Sequence, residues 1–422
     1  ACSCDAAMTH LAMPSPERPA GRSFLPDLLK AMGCLLIVLH HLAFYGPMSD
    51  VVAEQWPQLM DWLADDGRLA VQVFLVCSGY LTAASLARAP EMNARRLLRL
   101  AWRRYLRLAT PLLVALSLAV LVTELIRVDF HHPSLSATPH WLQALAHVFF
   151  LQHFLDMEAL SAGVWYVAID FQLYVLVLLA LWGVSAWGRW RPGRATHWRP
   201  DALRLQVFLA LTVLSLLRWN LNTDLDLYGL YFFGAYGMGW LAHRARQSRI
   251  PPKGWAVLMA LGLLAWWVDP RWRITTAWAV ALLLAAGPSA WLQPAQVGGL
   301  LRSAVAKLAQ VSYSVFVVHY AVSLAVSALV THFWAQSLAW NAAGMLLALA
   351  LSVLAGSLLH RWIEAQAPSW RRWLLWVAVF MASAGLAMQW PAISGSGGGH
   401  FLPDVGQRFL HLVDQDQAQI AA

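Results

Sequence analysis

The chain has 422 residues, of which 59% are apolar and 12% charged, with a formal net charge of +8. An average soluble domain carries about 25% charged residues, and a globule of this size cannot hide so much apolar surface from water. Two or three soluble domains are therefore excluded, and lipid must be the solvent for much of the chain. The 24 Trp agree, since indoles favour the membrane–water interface.

Residues 1–23 read as a polar leader containing Cys2, Cys4, Pro14, Pro16 and Pro19, with no apolar core of a cleavable signal peptide. Beyond it, candidate spans of mostly apolar residues recur at about 28–47, 68–87, 104–126, 164–187, 203–219, 227–243, 254–268, 274–292, 311–331, 340–360 and 372–390. The predicted fold is an all-α, polytopic membrane bundle of ten or eleven transmembrane helices. Cys34 and Cys77 fall inside spans as small packing residues, and nothing resembles a disulfide framework.

Sidedness explains the charge. With the N-terminus inside, the leader up to Lys30 and the loops 88–107, 188–204, 243–253, 293–310 and 361–372 hold 24 of the 30 basic residues. The outward loops hold most of the acids, among them Asp50, Glu54, Asp61, Asp65 and Asp66. Basic residues at nearly every inner turn mark cytoplasmic loops, so nucleic acid is not the expected partner. An odd span count puts the C-terminus outside. The long outward loop 127–163 carries five His whose spacings match no metal-ligand pattern, so no metal is expected. Its 141–155 section has helical rhythm and is predicted to re-enter or lie along the membrane.

Ionisable groups inside spans are expensive and are functional candidates by default. Lys30 and His41 in the first span are eleven residues apart, about 16 Å along a helix and within about 20° of one face. His40 points about 100° away from His41. Arg104 and Arg107, an i,i+3 pair at the mouth of the third span, have the spacing to clamp a phosphate. Arg95, Arg96 and Arg99 read as ordinary cytoplasmic charge. Asp170 lies about two turns into the fourth span and needs a His or Arg partner. His319 sits mid-span, Ser78 and Gly79 interrupt the second span, and Glu364 is explained by a local pair with Arg361.

Six stretches, in order, resemble the acyltransferase-three family of integral-membrane O-acyltransferases and cover residues 24–370. Lys30 with His41 is similar to that family's basic residue, ten residues, then His. Gly67 through Tyr80, Arg104-Tyr-Leu-Arg107, Trp165 through Tyr174, Ser312 through His319, and Arg361 through Glu364 resemble its later segments. The departures are Gln72 for a common acid, Asp170 for Glu, Phe316 for Tyr, and a displaced Pro368.

The resemblance implies transfer of an acyl group, usually acetyl, from cytoplasmic acetyl-CoA to a hydroxyl of a glycan or similar acceptor. It implies His41, Asp170 and His319 as catalytic residues, with Asp170 orienting His41. Lys30, Arg104 and Arg107 would hold the donor, and Trp165, Tyr174 and Ser78 would bind substrate. The bilayer, acyl-CoA and a hydroxyl acceptor are the expected partners, in a bacterial inner membrane. The expected layout is a leader at 1–23, an acyltransferase domain at 24–370, an additional span at 371–391 and a short extracytoplasmic tail at 392–422. The rival reading is a transporter or flippase that uses the same His and Asp as a proton relay.

Overall fold

The structure, a computed structural model, describes residues 24–87, 91–190, 200–247, 251–287 and 298–393. The leader and nearly all of the expected tail lie outside the described residues. Those described fold as α-helices with short 3-10 turns and one π turn, without a strand among them. In chain order the helices are α1 (Phe24–Tyr45), α2 (Pro47–Ala53), α3 (Pro57–Asp65), α4 (Ala70–Leu86), α5 (Ala94–Ile126), α6 (Trp141–Val148) and α7 (Val164–Arg189). There follow α8 (Pro200–Leu217), α9 (Gly229–Gln247), α10 (Pro251–Val268), α11 (Trp272–Ala286), α12 (Gly299–Trp334), α13 (Leu338–Leu359) and α14 (Trp370–Ile393).

Every predicted span overlaps one of these helices, with the last residues of the span at 274–292 lying outside the described residues, but the count tightens. Among the described residues, eight helices are long and apolar enough to cross a bilayer. The predicted spans at α9, α10 and α11 are not among them. The helix α9 is rich in glycine and aromatic residues and almost wholly buried within the bundle. Small residues let its backbone approach its neighbours closely, the usual packing device where lipid supplies no hydrophobic drive. A Cβ added at Gly79 of α4 would strike the Tyr236 carbonyl of α9, and one at Gly239 would strike the Val76 carbonyl. The Tyr236 hydroxyl donates to Thr82 Oγ1 at 2.8 Å across the same seam.

Polar contacts align α1 with α12. Lys30 Nζ donates to the Ala309 carbonyl at 3.0 Å, Cys34 Sγ to the Ser312 carbonyl at 3.6 Å, and His41 meets His319 at 2.8 Å. Both partner sets advance in the same direction, so the two helices are parallel. Lys30 and His41 do share one face, as their spacing predicts. His40 points elsewhere and donates from Nδ1 to the Leu63 carbonyl on α3 at 3.0 Å.

The loop 127–163 dips deep into the bundle. The helix α6 opens with a capping box in which His140 Nδ1 accepts from the Gln143 amide and Gln143 Oε1 accepts from the His140 amide. Trp141 lies against Gly385, whereas Phe149 at the other end reaches Trp373 near the start of α14. The helix therefore descends alongside α14. It ends at Val148, and Phe150 just beyond the cap has a φ of 60°, in the left-handed region. An exposed helix end in such a place needs protein partners. The Tyr105 hydroxyl donates to the Val148 carbonyl at 2.6 Å, and the Leu151 amide to the Ala146 carbonyl at 2.8 Å.

Two of the loop's His residues, His140 and His147, have structural jobs. His147 donates from Nδ1 to the Gln143 carbonyl at 2.8 Å and accepts at Nε2 from the Leu160 amide at 3.1 Å. Burial pushes its pKa down to about 4, so the neutral ring that this pattern needs is stable. Glu158 accepts from the Ala137 amide at 3.1 Å, and burial pushes its carboxyl up to about 7.

Two predictions follow from these contacts. Gly79→Val should lower the thermal unfolding midpoint in detergent by an overpacking cost of about 1–3 kcal/mol or more. Gly183→Ala, at a position with nothing within 4 Å, should be neutral or slightly stabilising. Because the folded pKa of Glu158 is raised, its contribution is fully present below the unfolded value of 4.5 and is lost as pH rises through about 7. Glu158→Gln should flatten that part of the loop's pH-dependent amide-exchange protection, and an unaltered profile would contradict the assignment.

Candidate active site

Helices α1, α4, α5, α7 and α12 enclose a cavity of about 590 Å³. The sequence places polar residues on their inward faces, where Lys30, Ser78, Thr82, Arg103, Arg104, Arg107, Asp170, Tyr174, Ser312 and Tyr313 line the walls, joined by Glu364 from beyond α13. Leu100 and Arg103 also border a second groove of about 520 Å³ lined by Arg95, Arg96 and Arg99. Those three arginines, predicted to be ordinary loop charge, therefore flank the basic mouth of the cavity. The ladder of Arg96, Arg103 and Arg107 recurs at near whole turns of α5, with Arg103 and Arg107 about 20° to either side of Arg96.

Asp170 does not meet His41. Its Oδ2 pairs with Arg104 Nη2 at 2.5 Å, joining α7 to α5. The Arg104 guanidinium also lies 5.4 Å from the centre of the Tyr174 ring. The charge of Arg104 is thus matched within the protein, unlike the phosphate-clamp role predicted for it. Among the described residues, Asp170 Oδ1 and Arg104 Nε are buried without a hydrogen-bond partner, so the pair keeps polar capacity beyond its own bridge. Asp170 is buried and lines the cavity wall.

The partner of His41 is His319. The carbonyl of Phe316 can only accept, so His319 Nδ1 donates to it at 2.6 Å. With neutral rings, His319 Nε2 then accepts and His41 Nδ1 donates at 2.8 Å, which leaves the lone pair on His41 Nε2. Both rings are buried, and neither is part of the cavity wall. Phe316 stands between, lining the cavity with its ring centre 6.0 Å from that of His319.

The other predicted residues divide. Lys30, Arg107, Ser78 and Tyr174 line the cavity. Trp165 does not; it packs behind on Tyr166 and Phe232. Glu364 does not need Arg361. The chain takes a π turn at His360–Glu364, and Glu364 Oε2 accepts from the Ser314 hydroxyl at 2.7 Å and from His360 Nδ1 at 3.0 Å. That turn brings Glu364 to the cavity wall, a placement common for π turns near functional sites. Phe74, Tyr166, Phe316 and Tyr313 also line the wall. Their only sequence signal is a place inside the resembling segments, because apolar aromatic residues in a span otherwise read as packing. Among the described residues, no three His, Cys, Asp or Glu gather as a metal site would require.

A polytopic helical bundle with a basic-mouthed interior cavity and a buried imidazole pair has the makings of a membrane group-transfer enzyme. A family model described as an acyltransferase domain matches residues 25–356, and the chain belongs to this acyltransferase-three family of membrane acyltransferases. No curated protein and no solved structure matches the chain.

The Arg104–Asp170 pair generates a prediction of its own. Asp170→Asn strands a partly buried cation and should cost about 3 kcal/mol in detergent unfolding. The double variant Arg104→Met with Asp170→Leu should recover most of that stability, because well-packed apolar residues often replace an interior ion pair at little cost. Activity should not return with it.

Proposed function

We propose that the chain transfers an acyl group, by family resemblance acetyl, from coenzyme A to a hydroxyl of a cell-envelope or exported glycan. The observation that carries this reading is the hydrogen-bonded series from Phe316 O through His319 to His41, set behind a cavity with a cationic mouth. That series supports His41 Nε2 as the base. The acceptor oxygen attacks the thioester carbonyl and gives its proton to His41 Nε2. The carbon–sulfur bond breaks, and the departing thiolate takes that proton to leave as the thiol. His319 holds His41 in the required tautomer and position, the orienting role a carboxylate plays beside many catalytic imidazoles.

Coenzyme A is polyanionic, and the cavity mouth suits it. Arg103, Arg107 and Lys30 line the cavity, and Arg95, Arg96 and Arg99 continue the positive surface outward. Asp170 acts by fixing Arg104, and Ser78 and Tyr174 offer hydroxyls to the donor. The basic inner loops support a cytoplasmic donor side and a cytoplasmic N-terminus, and a cell-envelope acceptor goes with a bacterial inner-membrane location.

Incubation of membranes with labelled acetyl-CoA tests the reading. The wild type should place label on an envelope glycan as an alkali-labile ester. His41→Ala should abolish transfer at normal membrane abundance, and His319→Ala should lower it by about 10²–10⁴-fold. Arg103→Ala with Arg107→Ala should raise the KM for acetyl-CoA more than it lowers kcat. Full transfer by His41→Ala would remove His41 from the mechanism.

A further inference from the structure

Three aromatic side chains from three helices, Phe74 of α4, Tyr166 of α7 and Phe316 of α12, line the cavity, and Phe316 packs on His319 behind it. Each touches the other two. Ring centres are 6.0 Å apart for Phe74–Tyr166, 6.3 Å for Phe74–Phe316 and 5.4 Å for Tyr166–Phe316, with tilted or edge-on geometry. Aromatic pairs at such distances and angles attract one another beyond their burial.

The cluster is seated on glycines. A Cβ at Gly33 of α1 would lie 3.3 Å from the tip of the Phe74 ring. A Cβ at Gly163, where φ is 78°, would overlap the Phe316 ring. Phe74 and Phe316 are therefore placed by close backbone approach. Tyr166 lines the cavity together with Ser78. Beyond Phe316 lies the imidazole pair, His41 at 5% exposure and His319 at 0%.

This arrangement sets a size problem. Resting on the acyltransferase reading above, the reacting carbonyl must come within hydrogen-bonding reach of groups near His41, at the aromatic cluster. Whatever extends beyond that carbonyl must fit among the three rings. We propose that Phe74, Tyr166 and Phe316 are the chain-length selector of the donor site, admitting the methyl of an acetyl group past the edge of Phe316 and excluding longer acyl chains. Each methylene that finds no room in an apolar pocket costs a factor of about 10–200 in discrimination.

The test is competition for labelled acetyl-CoA on the purified full chain in detergent, with acetyl-CoA and butyryl-CoA as competitors. Binding needs no acceptor, so the acceptor's identity does not enter. The wild type should bind acetyl-CoA more tightly than butyryl-CoA by at least about tenfold. Phe316→Ala should raise the relative affinity for butyryl-CoA by at least about tenfold, and Phe74→Leu, the gentler change, should shift it the same way. Thermal unfolding confirms that each variant is folded, and Phe74→Leu keeps the test decisive if Phe316→Ala is not. Equal wild-type affinities, or an unchanged ratio in a folded variant, would overturn the selector while leaving the acyltransferase reading intact. A wild type that binds neither thioester would overturn the donor assignment, and the selector with it.

Discussion

A polar group inside this bundle has no water to fall back on, so it must find its partner within the protein. That constraint organises the molecule. It makes α1 and α12 parallel neighbours, because Lys30, Cys34 and His41 all bond to groups on α12. It joins α5 to α7 through Arg104 and Asp170, and bends the chain after α13 into a π turn that delivers Glu364 to Ser314. An unsatisfied group in hydrocarbon costs several kcal/mol. These few contacts therefore select a helix arrangement that apolar packing alone would leave open.

Close backbone approach supplies the second determinant. At Gly79 and Gly239 the α4 and α9 backbones come too near for any side chain. This lets α9, which is not among the membrane-length apolar helices, sit wholly inside the bundle. The glycines at 33 and 163 work at smaller scale, each placing one aromatic ring in the cavity wall. The re-entrant loop obeys both rules. Its backbone ends are satisfied by Tyr105 and by its own turn, and Trp141 lies against Gly385. Buried Arg271 follows the first rule at the far end of α8, donating to the carbonyls of Asn220 and Leu216, where cations complement a helix C-terminus.

The candidate site joins two environments. One is a cationic mouth, with arginines rising along α5 and continuing to an outer groove. The other is a dry imidazole pair in which each hydrogen bond fixes the next, from Phe316 O to His319 to His41. The proposed polyanionic donor and neutral base call for such a division.

The sequence by itself determined the solvent, the helices and the order of the functional segments. Apolar runs and basic turns are local properties, and the common face of Lys30 and His41 follows from helical period alone. Tertiary structure decided the pairings. Asp170 chose Arg104 over His41, and His41 chose His319, across 66 and 278 residues of chain. Spacing within one helix carries no information about such choices. Glu364 escaped its expected Arg361 partner because a π turn changed the helical period that put the two on one face. Trp165 turned away from the cavity because α7 presents Tyr166 there instead. Which face of a helix looks inward depends on its neighbours, and only the packed bundle fixes that.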